Sequence, residues 1–213
     1  MTILALEFSS SQRSVAVAHR NGITEAIETG GHGTNAFGLI EEALLETRLD
    51  RSQIDVLAVG LGPGSYTGIR VALSIAQGWQ LARGVKLLGI SSAECLAAQV
   101  HAANIFGRVN VVIDAQRNEF YRATYDISHK GWTDVEPLRI TNPTSAVGTA
   151  EELWAGPEVT RWFPNGTILF PSAATLARLA TNRTDFKSGD QLAPIYLREA
   201  NFVKAPPPNP VAI

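Results

Sequence analysis

An apolar run, a glycine-rich turn and a long helical pattern follow one another in residues 55–84, DVLAVGLGPGSYTGIRVALSIAQGWQLARG. The run that begins this stretch is short, partly β-branched and apolar, which is typical of an inner strand covered on both faces. The glycines that follow permit positive φ angles and close contacts, while Pro63 fixes one φ angle between two of them. We therefore predict a strand, a tight turn and a helix, with Thr67 as the N-cap and Gly84 as the C′ residue.

The same turn is a candidate site for an anion. A helix N-terminus offers unpaired N–H groups and a positive partial charge, both of which favour a phosphate group. The spacing is not a P-loop, because no lysine follows Gly68, and it matches neither GxGxxG nor GxSxG. A tight connection without a ligand explains the turn equally well. The candidate residues for nucleotide or anion binding are Gly62, Gly64, Ser65, Thr67 and Gly68.

The helical pattern that follows the turn is apolar over an unusually wide arc. Projected at about 100° per residue, its apolar side chains sweep roughly 200°, more than one-sided packing on a sheet requires. Ser74 and Gly78 lie four residues apart, which would let a second helix approach closely. We predict a helical interface with another subunit, although burial inside the chain's own domain is the alternative. The candidate interface residues are Phe37, Ile40, Leu44, Arg70, Leu73, Ser74, Gln77 and Gly78.

We make a separate prediction for Arg70, one of these candidate interface residues. A cation in the first turn of a helix opposes the helix dipole at a cost of some tenths of a kcal/mol. We therefore expect Arg70 to face a bound phosphate or a partner carboxylate, the alternative being a solvated side chain.

Length and composition set further bounds. A chain of 213 residues, 45% of them hydrophobic, can bury a good core as one large domain or two small ones. The net charge of −2 argues against unaided binding of nucleic acid, which requires clustered cations. Cys95 is the one cysteine, so no internal disulfide is expected, and its apolar surroundings predict a buried thiol. We find no signal peptide and no apolar run of membrane-spanning length, and expect a cytoplasmic protein.

Several segments resemble the TsaB family of tRNA threonylcarbamoyladenosine biosynthesis proteins. The strongest resemblance lies in residues 62–71, GPGSYTGIRV, and 74–78, SIAQG. It extends in the same order to residues 3–6, 89–92, 113–115 and 194–198, whereas residues 132–183 contribute little. The resemblance implies an α/β protein of the actin-like ATPase superfamily (ASKHA, RNase H-like) with two lobes. We place the first lobe at residues 1–104, a smaller, degenerate second lobe at 105–203 and a flexible, proline-rich tail at 204–213.

The local patterns agree with a duplicated fold. A strand ending in Asp114 and followed by Gln-Arg and a returning strand echoes the strand that ends near Glu7. The predicted strands are 2–8, 15–19, 23–27, 55–60, 86–90, 108–115, 119–127 and 132–140, and the predicted helices are 36–49, a helix from 67 to 83, 92–104, 150–154 and 172–180.

The resemblance also implies a function. It indicates a catalytically inert scaffold that supports transfer of a threonylcarbamoyl group to the tRNA adenosine next to the anticodon. Its partners would be a metal-bearing TsaD-type paralogue and a TsaE-type ATPase. When alone, the chain would form a homodimer. It would contact tRNA only through the complex, and it would not contact a membrane.

The paralogue's metal-binding HxxxH pair falls on Ser92 and Leu96 here, so we expect no metal and no catalytic residue. No cofactor is required, and weak binding of ATP or ADP is left open. The alternatives are a small actin-like phosphotransferase, a peptidase-like enzyme, or a homodimeric interaction module with another client.

Four polar features have a structural explanation that requires no catalytic or binding role. Glu7 stands where the TsaB family usually has Asp, beside Phe8 in place of Thr, and we predict an exposed carboxylate at a strand end. Residues 91–94, SSAE, predict a capping box at a helix start. Asp114 could orient a ligand between the lobes, but more commonly such a residue satisfies its own backbone. His32 lies in a glycine-rich loop and is expected to be solvated.

Overall fold

Two five-stranded sheets of the same strand order form the framework of the protein. The computed structural model describes residues 1–30, 33, 35–145 and 152–198. The first sheet has the order β3-β2-β1-β4-β5 and the second has the order β8-β7-β6-β9-β10. In both sheets, the first of the five strands along the chain lies in the centre, the next two lie on one side of it and the last two lie on the other. The duplication predicted from the two acid-ended strands is therefore confirmed.

The first lobe is built from β1 (Ile3–Glu7), β2 (Gln12–His19), β3 (Gly22–Thr29), α1 (Ala36–Thr47), β4 (Val56–Gly60), α2 (Tyr66–Arg83) and β5 (Lys86–Ile90). The first three strands are antiparallel, and β4 and β5 run parallel to β1. Every residue of β1 and β4 is buried, as predicted for the inner strand, because helices cover both faces of the sheet. One face carries α1 and α2.

The second lobe contains α3 (Ser92–Ala102), β6 (Gly107–Gln116), β7 (Glu119–Ser128), β8 (Gly131–Thr141), β9 (Leu153–Gly156) and β10 (Thr167–Ile168). Its long strands β6, β7 and β8 form an antiparallel meander, and the short β9 and β10 run parallel to β6 and β9 respectively. The apolar side of α3 packs on one face of this sheet. In the described part of the chain, single-turn 3-10 helices lie at Arg51–Gln53, Val159–Arg161 and Gly189–Gln191.

The chain returns to the first lobe after the second sheet is complete. Helix α4 (Ala173–Ala180) packs its alanines and Leu176 on the uncovered face of the first sheet. Residues 187–198, here named the C-terminal strap, then cross from one lobe to the other. Lys187 N–H donates to the Leu87 carbonyl at 2.9 Å, and Arg198 Nη2 donates to the Ala115 carbonyl at 2.9 Å and to Glu119 Oε2 at 2.6 Å. The predicted division at residue 104 lies between the strands of the two sheets. However, α3 of the predicted first lobe packs on the second sheet, and α4 of the predicted second lobe packs on the first.

Some predicted elements need correction. Residues 153 and 154, predicted to be helical, begin β9, because Leu153 and Trp154 pair with Val109 and Asn110 of β6. Helix α1 ends at Thr47, where Arg48 adopts a left-handed conformation with φ 54°. His32, residues 150 and 151 of the predicted helix at 150–154 and the predicted tail at 204–213 lie outside the described residues.

Candidate functional site

The predicted strand, turn and helix are present, but a different residue caps the helix. Ser65 Oγ accepts a hydrogen bond from Gly68 N–H at 3.3 Å, so Ser65 is the N-cap. The prediction of Thr67 was wrong by half a turn, since Tyr66 and Thr67 already belong to the exposed first turn of α2. Gly84 ends the helix in a left-handed conformation, as predicted.

Loss of this cap gives a first expected result. Replacement of Ser65 by alanine leaves Gly68 N–H without its acceptor and is expected to lower the free energy of unfolding by about 1 kcal/mol. Replacement by aspartate, which keeps an acceptor at the N-cap, should restore most of the loss. Urea denaturation of both variants measures the difference, and equal losses in the two would show that capping is not the role of Ser65.

The glycines of the turn serve two separate purposes. Gly62 and Gly64 have φ angles of 83° and 144°, which L side chains rarely adopt. Gly60 and Gly68 have ordinary φ angles, but a Cβ atom at either one would collide with the end of β1. At Gly60 the obstacle is the Glu7 carboxylate, and at Gly68 it is the carbonyl oxygen of Phe8. The turn is therefore shaped to lie directly against the β1–β2 connection.

Several N–H groups of the predicted anion site are used inside the protein. Ser65 N–H donates to the Ser9 carbonyl at 2.6 Å, and Leu61 N–H donates to the Ile90 carbonyl at 2.8 Å. The N–H of Gly68 is occupied by its cap. These contacts favour the alternative, a tight connection, although anion binding at Gly62, Gly64 and Thr67 stays a prediction.

Glu7 is not exposed, contrary to the prediction. It has 0% exposure, and its carboxylate accepts hydrogen bonds from Ser9 N–H at 2.8 Å and from Ser92 Oγ at 3.0 Å. Burial raises the pKa of Glu7 above its usual value, and the two serine contacts oppose this only in part. The error arose because β1 was expected to end at solvent, whereas the close approach of Gly60 and α3 covers its last residue.

The start of α3 is also not a capping box. Ser91 Oγ accepts from Ala93 N–H at 3.2 Å, but Glu94 turns away to form an ion pair with Arg183 at 3.4 Å. The Ser92 hydroxyl group donates a hydrogen bond to the Glu7 carboxylate, and Leu96 is fully buried in the core of the second lobe. The two positions that match the paralogue's metal-binding histidines therefore serve packing and one internal hydrogen bond.

A cleft of about 900 Å³ separates the lobes. The serine turn after β1 and Arg13 line one side, the Asp114 turn lines the other, and Tyr196 and Arg198 of the C-terminal strap border it. Asp114 accepts from Gln116 N–H at 2.8 Å, which confirms that it satisfies its own backbone, and it also pairs with Arg161 at 3.0 Å. Ser9 Oγ and Arg13 Nε are buried without a partner among the described residues.

The wide apolar arc of α2 opens onto a hollow shared with α1. The hollow has a volume of about 670 Å³ and is lined by Phe37, Ile40, Arg51, Tyr66, Thr67, Arg70, Val71, Ser74, Ile75, Gly78 and Trp79. Phe37 is 63% exposed and Tyr66 is 55% exposed, although both side chains carry large apolar rings. Exposed apolar surface of this kind usually marks a site of interaction.

The predicted interface residues fall into two groups. Phe37, Ile40, Arg70, Ser74 and Gly78 line the hollow. Leu44 and Leu73 are instead buried in the core of the first lobe, and Gln77 donates to the Gly189 carbonyl at 2.8 Å. Leu44 of α1 and Leu73 of α2 point toward the sheet, and Gln77 of α2 points toward the strap, because each helix has one face on the core and one face on the outer surface.

Arg70 packs on aromatic rings. Its guanidinium carbon lies 4.0 Å from the ring centre of Tyr66 and 5.9 Å from that of Tyr196. The two tyrosine rings stack at 5.3 Å. Neither tyrosine was predicted as a site residue, although both lie in segments that carry the family resemblance. A bound phosphate or partner carboxylate at Arg70 stays a prediction.

No group of three or more histidine, cysteine, aspartate or glutamate side chains could hold a metal ion in the described part of the chain. No described helix is long and apolar enough to cross a membrane.

The two sheets of common strand order and the cleft between them define a two-lobed α/β protein with the actin-like ATPase fold. Residues 3–198 match the family TsaD, described as tRNA N6-adenosine threonylcarbamoyltransferase, and the chain belongs to this family. Within it, the resemblance to TsaB proteins is confirmed. The chain is 28% identical to the tRNA threonylcarbamoyladenosine biosynthesis protein TsaB of Escherichia coli, over 93% of this chain and 95% of the relative. It is also 28% identical to the TsaB of Haemophilus influenzae, over 97% and 98%.

A solved structure agrees with the fold. A Pseudomonas aeruginosa protein described as similar to the peptidase YeaZ is 26% identical, with a TM-score of 0.81 over 92% of this chain and 99% of that one.

Proposed function

We propose that the protein is a non-catalytic subunit of the assembly that transfers a threonylcarbamoyl group to tRNA adenosine next to the anticodon. It pairs with the metal-bearing TsaD-type paralogue and helps to recruit the TsaE-type ATPase. In the absence of the paralogue it forms a homodimer. The assembly works in the cytoplasm, and tRNA is contacted only through the complex. The names of the relatives from E. coli and H. influenzae support the pathway.

The observation that carries the proposal is the exposed apolar hollow between α1 and α2. Phe37, Tyr66 and Trp79 border a concave surface into which an apolar side chain or a helix could pack. Gly78 lies in the same surface, and a Cβ atom at this position would meet nothing within 4 Å, so the backbone of a partner helix can approach it. Removal of this apolar area from water on association would supply the main driving force.

A second observation supports the absence of a reaction centre in this chain. Acyl transfer requires a group that polarises the carbonyl and stabilises the developing negative charge, such as a metal ion or oriented donors. Ser92 and Leu96, at the positions of the paralogue's metal-binding histidines, are buried and engaged in packing. The chemistry therefore belongs to the paralogue, and this chain orders that partner.

Reconstitution of tRNA modification with and without this chain tests the proposal. The assay contains the TsaD-type paralogue and the TsaE-type ATPase, and the modified adenosine is measured. We expect modification to depend on this chain, while the chain alone turns over neither ATP nor a peptide substrate. Full modification without the chain would overturn the scaffold role. Robust turnover by the chain alone would favour the phosphotransferase or the peptidase-like alternative instead, and a chain that binds neither other subunit would favour an interaction module with another client.

The variant Gly78→Arg tests whether the hollow between α1 and α2 binds the paralogue. The new side chain projects into open space, and replacing glycine in a helix removes a destabilising residue, so folding should be preserved. Binding to the paralogue should weaken by about tenfold or more, because the charged side chain fills the place where a partner helix must approach.

The matched control is Leu45→Asp. Leu45 is exposed on α1 but does not line the hollow, so its replacement should leave partner affinity unchanged. Sedimentation and affinity measurements on both variants compare the two sites. Equal affinity in Gly78→Arg and the wild type would place the interface elsewhere.

A further inference from the structure

The charges that line the hollow between α1 and α2 are unbalanced. Among the described residues, its lining contains two arginines, Arg51 and Arg70, and no aspartate or glutamate. Arg51 is already paired, since its Nη2 atom lies 2.8 Å from Glu41 Oε1. Arg70 is exposed and forms no ion pair or hydrogen bond within the described part of the chain. The apolar hollow therefore carries a cation whose charge is not balanced.

The ring of Tyr66 determines which part of Arg70 is available to a partner. The guanidinium carbon lies over this ring at 4.0 Å from its centre, and Tyr196, which stacks on Tyr66, lies 5.9 Å away. A guanidinium that packs through its flat face keeps the N–H donors at its edge, and these donors match the two oxygens of a carboxylate. Because the rings restrict the side chain in the free protein, less conformational entropy is lost when an ion pair forms.

Arg70 also lies in line with the positions that admit a partner helix. Arg70, Ser74 and Gly78 are spaced by four residues, so they follow one another along the same face of α2. Arg70 stands two turns, about 12 Å, closer to the start of α2 than Gly78 does. A helix that packs along this line covers both residues. Filling the hollow then removes water from Arg70, which is costly unless a counter-charge replaces that water.

We propose that the hollow selects a partner helix that is apolar on one face and carries an aspartate or glutamate opposite Arg70. The inference rests on the proposed function, in which the partner is the TsaD-type paralogue. The carboxylate stands about two turns from the residue that packs on Gly78. A second copy of this chain is a poorer occupant, because the described lining of its own hollow offers arginines and no carboxylate.

The affinity of the full chain for the TsaD-type paralogue, measured by isothermal titration calorimetry, tests the inference. Arg70→Gln should weaken binding about tenfold, because charge-assisted hydrogen bonds are lost. Arg70→Glu should weaken it further through like-charge repulsion. Arg70→Lys keeps the charge without the flat fork of donors, and its affinity should lie between those of the wild type and Arg70→Gln. The matched control is Arg20→Gln, at an exposed arginine of the β2–β3 turn that does not line the hollow, and it should bind like the wild type.

Salt dependence separates an ion pair from a packing role of the Arg70 side chain. Raising the salt concentration from about 0.1 M to about 1 M should weaken binding of the wild type more than binding of Arg70→Gln, since only the wild type has this ion pair to screen. Sedimentation of the chain alone should give the same self-association for both proteins.

The possible failures are distinguishable from failure of the proposed function. If Gly78→Arg weakens binding but Arg70→Gln binds as tightly as Arg20→Gln, no carboxylate faces Arg70, and the inference is overturned while the proposed function stands. If neither Gly78→Arg nor Arg70→Gln changes the affinity, the partner binds elsewhere and the proposed interface fails as well. The inference is also overturned if the wild type and Arg70→Gln respond equally to salt, or if Arg70→Gln weakens the homodimer as strongly as the complex.

Discussion

Replacement of Gly68 by alanine is expected to lower the free energy of unfolding by about 3 kcal/mol. A Cβ atom at this position would overlap the carbonyl oxygen of Phe8 and lie 3.0 Å from its carbonyl carbon. These are backbone atoms at the end of β1, so they cannot rotate away as a flexible side chain could. Either α2 or the β1–β2 connection must move, and both belong to the packed core of the first lobe.

Gly78→Ala is the matched control for this result. Gly78 lies in the same helix, but a Cβ atom there meets nothing within 4 Å. The same substitution should therefore stabilise the protein by about 1 kcal/mol, through helix propensity alone. Urea denaturation of both variants gives the two values. A loss below about 1 kcal/mol for Gly68→Ala would mean that the turn can move away from β1.

The second large effect concerns Glu7. Glu7→Ala would remove the acceptor for Ser9 N–H and for Ser92 Oγ and leave a cavity, so a loss of about 3–5 kcal/mol is expected. Glu7→Gln keeps one acceptor for Ser9, and its amide can donate to Ser92 Oγ. Stability should then stay within about 1 kcal/mol of the wild type in mild acid.

The difference between wild type and Glu7→Gln should depend on pH. Because burial raises the pKa of Glu7 above 4.5, the folded state holds this proton more tightly than the unfolded state. The stabilising contribution is complete below the unfolded pKa and is lost as the pH rises through the folded pKa. The wild type should therefore lose stability relative to Glu7→Gln as the pH rises from about 4.5, by about 1.4 kcal/mol for each unit by which the pKa is raised.

Urea denaturation of the two proteins between about pH 4 and pH 8 measures this difference. Subtracting one protein from the other removes the contributions of other carboxyl groups, such as Asp185, whose pKa is lowered to about 2 by its hydrogen bond with Arg183. A difference that stays constant over this range would show that Glu7 is ionised in the folded state with its ordinary pKa.

Local patterns were sufficient to predict much of the framework. The strand β4, helix α2 and the C-terminal cap at Gly84 follow from apolar periodicity and glycine placement, which depend on neighbouring residues only. The duplication followed from two acid-ended strands, and the common strand order of the two sheets confirms it. The arc of α2 predicted more apolar surface than one sheet could cover, and the hollow at Phe37 and Gly78 lies on that surface.

Contacts between residues distant in sequence could not be predicted in this way. The burial of Glu7 depends on Gly60 and Ser92, which come from two other elements. Tyr196 reaches the site through the C-terminal strap, and nothing in the local pattern of residues 187–198 indicates that it stacks on Tyr66. The division of the α2 arc between core and surface likewise depends on distant partners, since Leu73 packs in the core of the first lobe and Gln77 contacts Gly189 of the strap.

The return of α4 to the first sheet has a consequence for synthesis on the ribosome. A nascent chain that has reached β8 already contains all five strands of the first sheet together with α1 and α2. One face of that sheet, with Ile3, Val56 and Leu88, stays uncovered until Leu176 and its neighbours have emerged. The first lobe to be translated is thus among the last parts to be completed, and the nascent chain exposes an apolar sheet face until α4 has been made.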